Sequence, residues 1–252
     1  MPTPFNHLLA ACEMEAVADW PPALRETLRA EWPAFLLGNI APDVQTLSGQ
    51  PREATHFFRV PLDSDTPAHE VMFTAHPALA RARALPTAQL AFLAGYLAHL
   101  QFDQLWIAEI FAPVFGPTAA WGDFRKRLYL HNALRAHWDA HDLGQLPAAL
   151  GAQLHSARPA RWLPFVRDEH LAAWRDTVGN QLVPGGATRT VEVFAERMRV
   201  DPQAFAALVN SPEAMRAKVF NRVSPQQLFA YRTRALLESA QLIRAVWEEA
   251  LV

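Results

Sequence analysis

The chain has 252 residues, 51% of them hydrophobic and 19% charged, which supplies apolar material for one large core or two small ones and excludes overall disorder. A formal net charge of -2 gives no overall field toward nucleic acid or an anionic membrane surface, so no stable nucleic-acid partner is predicted. The single cysteine, Cys12, excludes an intramolecular disulfide and a cysteine-rich zinc cluster, and any metal site must then use histidine and carboxylate.

Along the chain, the first twenty residues have no basic residue ahead of their short apolar run, and Glu13, Glu15 and Asp19 follow it at once. That is a poor export signal, and a cytoplasmic location is the expectation. Apolar residues recur at helical spacing over 7–18, 22–31, 87–111, 122–141, 168–178, 190–199, 202–209, 212–219 and 225–250, and no comparable run alternates with period two. Thr87 is expected to cap the helix that follows Pro86. "DPQ" at 201, "SPE" at 211 and "SPQ" at 224 each place an Asp or Ser cap ahead of a proline at the first helical position.

The 20 prolines fall largely between these segments, and loops are read at 42–70, 112–121, 156–167 and 180–188. The expected fold is all-α: a multi-helix bundle with a metal cleft in residues 1–145 and further helices over 146–252, packed on it as part of the same domain. The most apolar stretch, 88–115, is broken by His99, Gln101, Asp103 and Glu109, which argues against a membrane span.

The segment "GYLAHLQFDQLWIAE", 95–109, carries His99 and Asp103 four residues apart on one helix face, within reach of a common point. Burying an imidazole and a carboxylate costs several kcal/mol, roughly, unless something pairs with them. Zinc takes both types at roughly 2.0–2.2 Å but wants about four ligands, so this pair is half a site. Upstream, Asp43 in "FLLGNIAPDVQ", His56 in "REATHFF" and His7 in "TPFNHLLA" are polar residues in apolar settings. Singly, each has an ordinary account: a turn or cap for Asp43, a half-buried ring bonded to backbone for His56, an early helical residue for His7.

Together, His7, "GNIAPD" ending at Asp43, "THFF" around His56, and "GYLAHLQFD" with Gly95, His99 and Asp103 form an ordered set. This set resembles the zinc-dependent phospholipase C family, related in fold to the single-strand-specific zinc nucleases. The resemblance covers about the first 140 residues. It implies that Asp43, His56, His99 and Asp103 hold one zinc, and that Asp103 bridges to a second ion which His7 also binds. Exported members of the family add the amino group of the processed N-terminus; here, removal of Met1 leaves Pro2, a secondary amine, near His7.

A third zinc in that family uses a His followed four residues on by Glu. In this chain His131 is followed by Arg135, which cannot ligate a cation, and Glu109 stands beside the His99 face rather than on it. Glu109 and His131 are kept as further metal candidates, and one or two zinc ions are expected rather than three. Arg135 is read as meeting a substrate phosphate through its planar fork, or else as pairing with Asp139.

The expectation is a phosphoric-ester hydrolase using metal-activated water, with Asp43 as a ligand or as the catalytic group that orients or deprotonates the water. The alternative is a helical binding or scaffold protein that keeps the metal as a staple after losing catalysis. "HDL" at 141–143 matches HD-type phosphohydrolases only as a dipeptide, and "HWDAHD" reads better as a solvated helix end. The tryptophans of "RPARWLPFVRDEHLAAWRD" are read as core rather than as a stacking platform. Ser48 has no nucleophile frame, and "VPGGAT" lacks the lysine of a phosphate loop.

Overall fold

A computed structural model describes residues 1–81, 84–183 and 185–249, with the side chain of Glu249 left aside. Among them there is no strand: the fold is all-α. The helices are α1 (Pro4–Val17), α2 (Pro22–Ala30), α3 (Trp32–Ile40), α4 (Gln45–Ser48), α5 (Glu53–His56), α6 (Ala68–Ala75), α7 (Thr87–Trp106), α8 (Phe124–Leu143), α9 (Leu150–His155), α10 (Asp168–Leu182), α11 (Thr190–Met198), α12 (Pro202–Val209), α13 (Pro212–Met215) and α14 (Pro225–Glu249).

A 3₁₀ turn, Ala41–Val44, joins α3 to α4, and α7 runs on as a π-helix over Ile107–Phe115. Pro113 falls inside that wider stretch, where a missing backbone donor is tolerated better than in a regular α-helix.

The axis of the molecule is α7. Every residue from Ala91 to Leu100 is buried, the signature of a helix covered on all sides. α3 lies against it for most of its length, and α14 and α6 pack on other faces; α1 touches α3, α8 and α14, while α11 and α12 lean on α8. One hydrophobic cluster contains residues from Phe5 to Ile243, so α14 shares its core with α1 and α7. No described helix is long and apolar enough to cross a membrane.

Three of the four expected caps form. Asp201 accepts from the backbone N–H groups of Gln203 and Ala204, and Ser211 accepts from that of Ala214. Ser224 and Gln227 make a reciprocal capping box, each side chain accepting the other's backbone N–H at 3.1 Å. Thr87 is a correction: it is the first helical residue, and Pro86, already extended at ψ 146°, stands at the cap with no side-chain bond.

The stretch expected as loop over 42–70 contains α4, α5 and the start of α6. No helix is predicted at α3, α6 or α9, and the predicted loop 112–121 opens on the last turn of the π-helix. Pro184 in the predicted loop 180–188, Ala250 at the end of the last predicted helix, and residues 251–252 lie outside the described residues. Trp162 is buried and the indole of Trp174 donates to the Ile40 carbonyl at 2.7 Å, so both belong to the packing.

Candidate metal centre

Five side chains from four parts of the chain meet beside α7. His7 comes from α1, Asp43 from the 3₁₀ turn after α3, His56 from the last position of α5, and His99 and Asp103 from α7 itself. His56 Nε2 lies 3.4 Å from His99 Nε2, 3.5 Å from Asp43 Oδ1 and 3.4 Å from Asp103 Oδ2. His99 Nε2 is 3.6 Å from Asp103 Oδ2. Four donors at roughly 2.0–2.2 Å around a tetrahedral zinc stand about 3.3–3.6 Å apart, which these four separations match, and Asp43, His56 and His99 offer donor atoms that all lie within 4.8 Å of one another.

The hydrogen bonds on the far side of each ring make the point chemically. His99 Nδ1 faces the Asn39 carbonyl oxygen at 2.8 Å, an acceptor only, so Nδ1 carries the proton. His56 Nδ1 faces Thr55 Oγ1 at 3.0 Å, and the Thr55 hydroxyl spends its own proton on the Arg52 carbonyl at 3.1 Å. In their neutral forms both rings present Nε2 lone pairs toward each other and toward nearby carboxylate oxygens. Acceptors facing acceptors in a buried place are satisfied by a positive charge between them, a proton or a metal ion, and outer bonds of this kind are what orient metal-ligating histidines. Replacing Thr55 by Val keeps the shape but removes the acceptor, and zinc affinity measured by chelator competition is expected to fall by about 10–100-fold.

Asp103 reaches in two directions. Its Oδ2 faces the four-donor group and takes a bond from Arg52 Nη2 at 2.7 Å, whereas Oδ1 faces His7 Nε2 at 3.5 Å. Neither Oδ1 nor His7 Nε2 has a hydrogen-bond partner although both are buried, and His7, His99 and Asp103 offer donor atoms that all lie within 4.8 Å of one another. The His7 ring stacks on His99 at 3.8 Å. The Met1 amino group is buried close by; burial first and Arg135 second push its pKa well below the usual value, against the opposing pull of Asp103 and Asp43.

Protonation follows the same logic. Burial, then the neighbouring His99, pushes His7 down to about 4, which leaves it neutral near pH 7 and able to ligate. Burial pushes the Asp103 carboxyl up, but His99, His56 and His7 outweigh it and hold the group well below the ordinary carboxylate range. For His99 burial acts downward, yet the Asp103 carboxylate prevails and the pKa rises: the ring attracts positive charge, as a proton or as a metal. Asp43 behaves as Asp103 does, burial being overcome by His56 and His99.

The local fold explains why "THFF" is written as it is. Phe57 adopts φ 60°, unusual for a bulky residue, and turns the chain sharply after His56. Phe57 then meets Phe165 edge-on at 5.1 Å, while Phe58 returns to cover the His56 ring at 6.0 Å and the Arg52 guanidinium at 4.6 Å.

The remaining site expectations fare differently. Glu109 does not join the group, because Arg234 on α14 holds its carboxylate at 2.9 Å. Neither does His131, whose Nε2 accepts the Trp106 indole N–H at 2.9 Å while its ring packs against Phe111 and Phe115. Arg135 does not pair with Asp139: its Nε donates to the Met1 carbonyl and Nη1 to Asn132 Oδ1 at 3.0 Å. Its charge is nonetheless felt by Asp43 and Asp103. "HWDAHD" is only partly a solvated end, since Asp142 is buried and accepts from Asn6 Nδ2 at 2.6 Å.

Asn39, Thr55 and Arg52 were not anticipated; two of them act through backbone oxygen or a loop, where spacing carries no signal. No protein-family model matches the chain, and neither does any curated protein or solved structure.

Proposed function

We propose that this chain is a zinc-dependent hydrolase of phosphoric esters, in keeping with its resemblance to the zinc-dependent phospholipase C family. The observation that carries the reading is the four-donor group of Asp43, His56, His99 and Asp103, with spacing and tautomers that suit one divalent ion. Charge supports the substrate class. The carboxylates of Asp43 and Asp103 are already balanced by the guanidiniums of Arg52 and Arg135, so a divalent ion leaves the buried centre with excess positive charge, which an anionic ester neutralises.

When bound, zinc supplies Lewis acidity: it polarises phosphoryl oxygen and acidifies water. The chain's own residues do the rest. His56 and His99 present fixed lone pairs, and Asp103, shared between two directions, ties the four-donor group to His7, which would hold a second ion. Asp43 is the donor that solvent reaches, at 20% exposure. We assign it as a ligand, since its Oδ1 faces His56 Nε2 at 3.5 Å, the spacing of two donors to one ion.

A second reading, a metal kept only as a staple, is favoured by the burial of His7, His56, His99 and Asp103. The test is hydrolysis of bis(4-nitrophenyl) phosphate by protein of measured zinc content. Turnover that a chelator abolishes and zinc restores supports the hydrolase. Full zinc occupancy without turnover on several phosphate mono- and diesters establishes the staple instead.

A further inference from the structure

The sequence points to Arg135 for phosphate recognition, but the bonds point elsewhere. Arg135 has committed Nε and Nη1 to Met1 and Asn132, and its guanidinium face lies over the Phe194 ring at 4.5 Å. Arg52 is held at one point only. Its Nη2 donates to Asp103 Oδ2 at 2.7 Å and its face rests on Phe58 at 4.6 Å, while Nε and Nη1 are buried with no hydrogen-bond partner among the described residues.

Orphaned donors on a buried cation are costly, and a native fold retains them where something else completes them. Nη2 sits between Nε and Nη1 on the planar guanidinium. With one Nη2 hydrogen on Asp103, a full edge of two parallel N–H groups remains, and that edge matches two oxygens of a phosphate.

Position favours the same occupant. Asp103 Oδ2 belongs to the four-donor group, so an anion on the free edge of Arg52 is held one carboxylate away from the metal. Asp43 at 20% and Arg52 at 18% exposure are the parts of the centre nearest solvent, while the imidazoles and Asp103 are shut off.

We propose that Arg52 is the oxyanion-binding residue of the centre, fixing Asp103 with one N–H while its free edge takes the phosphoryl oxygens of the substrate. The inference rests on the metal reading given above and names the residue that selects a phosphoryl anion. A water bound at Nε and Nη1 is the competing occupant.

The test is calorimetric titration of zinc-loaded protein with inorganic phosphate, with zinc content measured on each sample. Arg52→Lys keeps the charge and one bond to Asp103 but lacks the second parallel N–H, and Arg52→Gln lacks the charge as well. Phosphate affinity per zinc-loaded chain is expected to fall about 10–100-fold in both, the loss expected for hydrogen bonds to a charged group. Arg167→Gln, at an arginine 71% exposed on the surface, should bind as the wild type does. Equal phosphate affinity per zinc-loaded chain in all four proteins overturns the inference, including the case in which the Arg52 variants lose zinc in proportion, because Arg52 then serves only to hold Asp103. A wild-type chain that takes up no zinc overturns the metal reading and this inference with it.

Discussion

A His99→Ala chain is expected to hold no zinc and to melt no higher than wild-type protein stripped by a chelator, with or without added zinc. The His99 ring links three parts of the centre: Nδ1 bonds the end of α3 through the Asn39 carbonyl, Nε2 stands 3.4 Å from His56 and 3.6 Å from Asp103, and its face stacks on His7. Removing it deletes one of four donors and the contact that sets α3 against the site. Altering an outer-shell partner costs roughly 10–100-fold in metal affinity, and losing a ligand costs more.

Stabilisation by added zinc is expected to be lost with it. An ion present at about a thousand times its dissociation constant stabilises the folded chain by about 4 kcal/mol. Calorimetric melts of wild type and variant, each with zinc and with chelator, read this directly. His76→Ala is the control, since that ring packs on Phe165 at 4.6 Å away from the donors and its loss should leave zinc content unchanged. A His99→Ala chain that still binds zinc and still melts higher with it contradicts the assignment.

Gly95→Ala is expected to damage the fold and the centre together. Gly95 on α7 faces α3 so closely that an added Cβ would overlap the Phe35 carbonyl oxygen and stand 2.8 Å from both the backbone nitrogen and the Nδ2 of Asn39. Gly38 does the same from the other side, where a Cβ would overlap the Phe92 carbonyl oxygen. Both obstacles include backbone, so no rotamer change relieves them and the helices must part.

Overpacking of this kind costs about 1–3 kcal/mol, and here the movement falls on α3, which supplies the Asn39 carbonyl and leads into Asp43. The expected result is an unfolding free energy lowered by that amount and a marked loss of zinc. Gly144→Ala, where the nearest atom would lie at an ordinary 3.4 Å, should change neither. Gly95 thus earns its place in "GYLAHLQFD" by steric need: it lets two helices approach until residues on both can address one ion.

These two variants also show what was legible in the sequence. Helical period and Asp-Pro or Ser-Pro starts were readable wherever a helix has a wet face, as in α12 and α14. α3 was missed because "WPAFLLGNI" is buried almost throughout, and a helix without a polar face shows no period. The helices within 42–70 include α4 and α5 of only four residues, too short to register as a pattern.

In the site, His99 and Asp103 were readable from an i, i+4 pair within an apolar run, and His7, Asp43 and His56 from their order and setting. The bonds that orient them were not. The Asn39 carbonyl belongs to backbone, Thr55 precedes His56 without any motif, and Arg52 reaches Asp103 across a loop. Glu109 was misjudged because its partner, Arg234, lies on α14, far along the chain.

The most direct measurement is X-ray absorption at the zinc edge on purified, zinc-reconstituted protein. The four-donor centre predicts at least one zinc per chain, nitrogen and oxygen neighbours at roughly 2.0–2.2 Å, outer-shell scattering from two or more imidazoles, and no sulfur. A chain that retains no zinc against a mild chelator, or a zinc whose spectrum lacks imidazole scattering, contradicts the account.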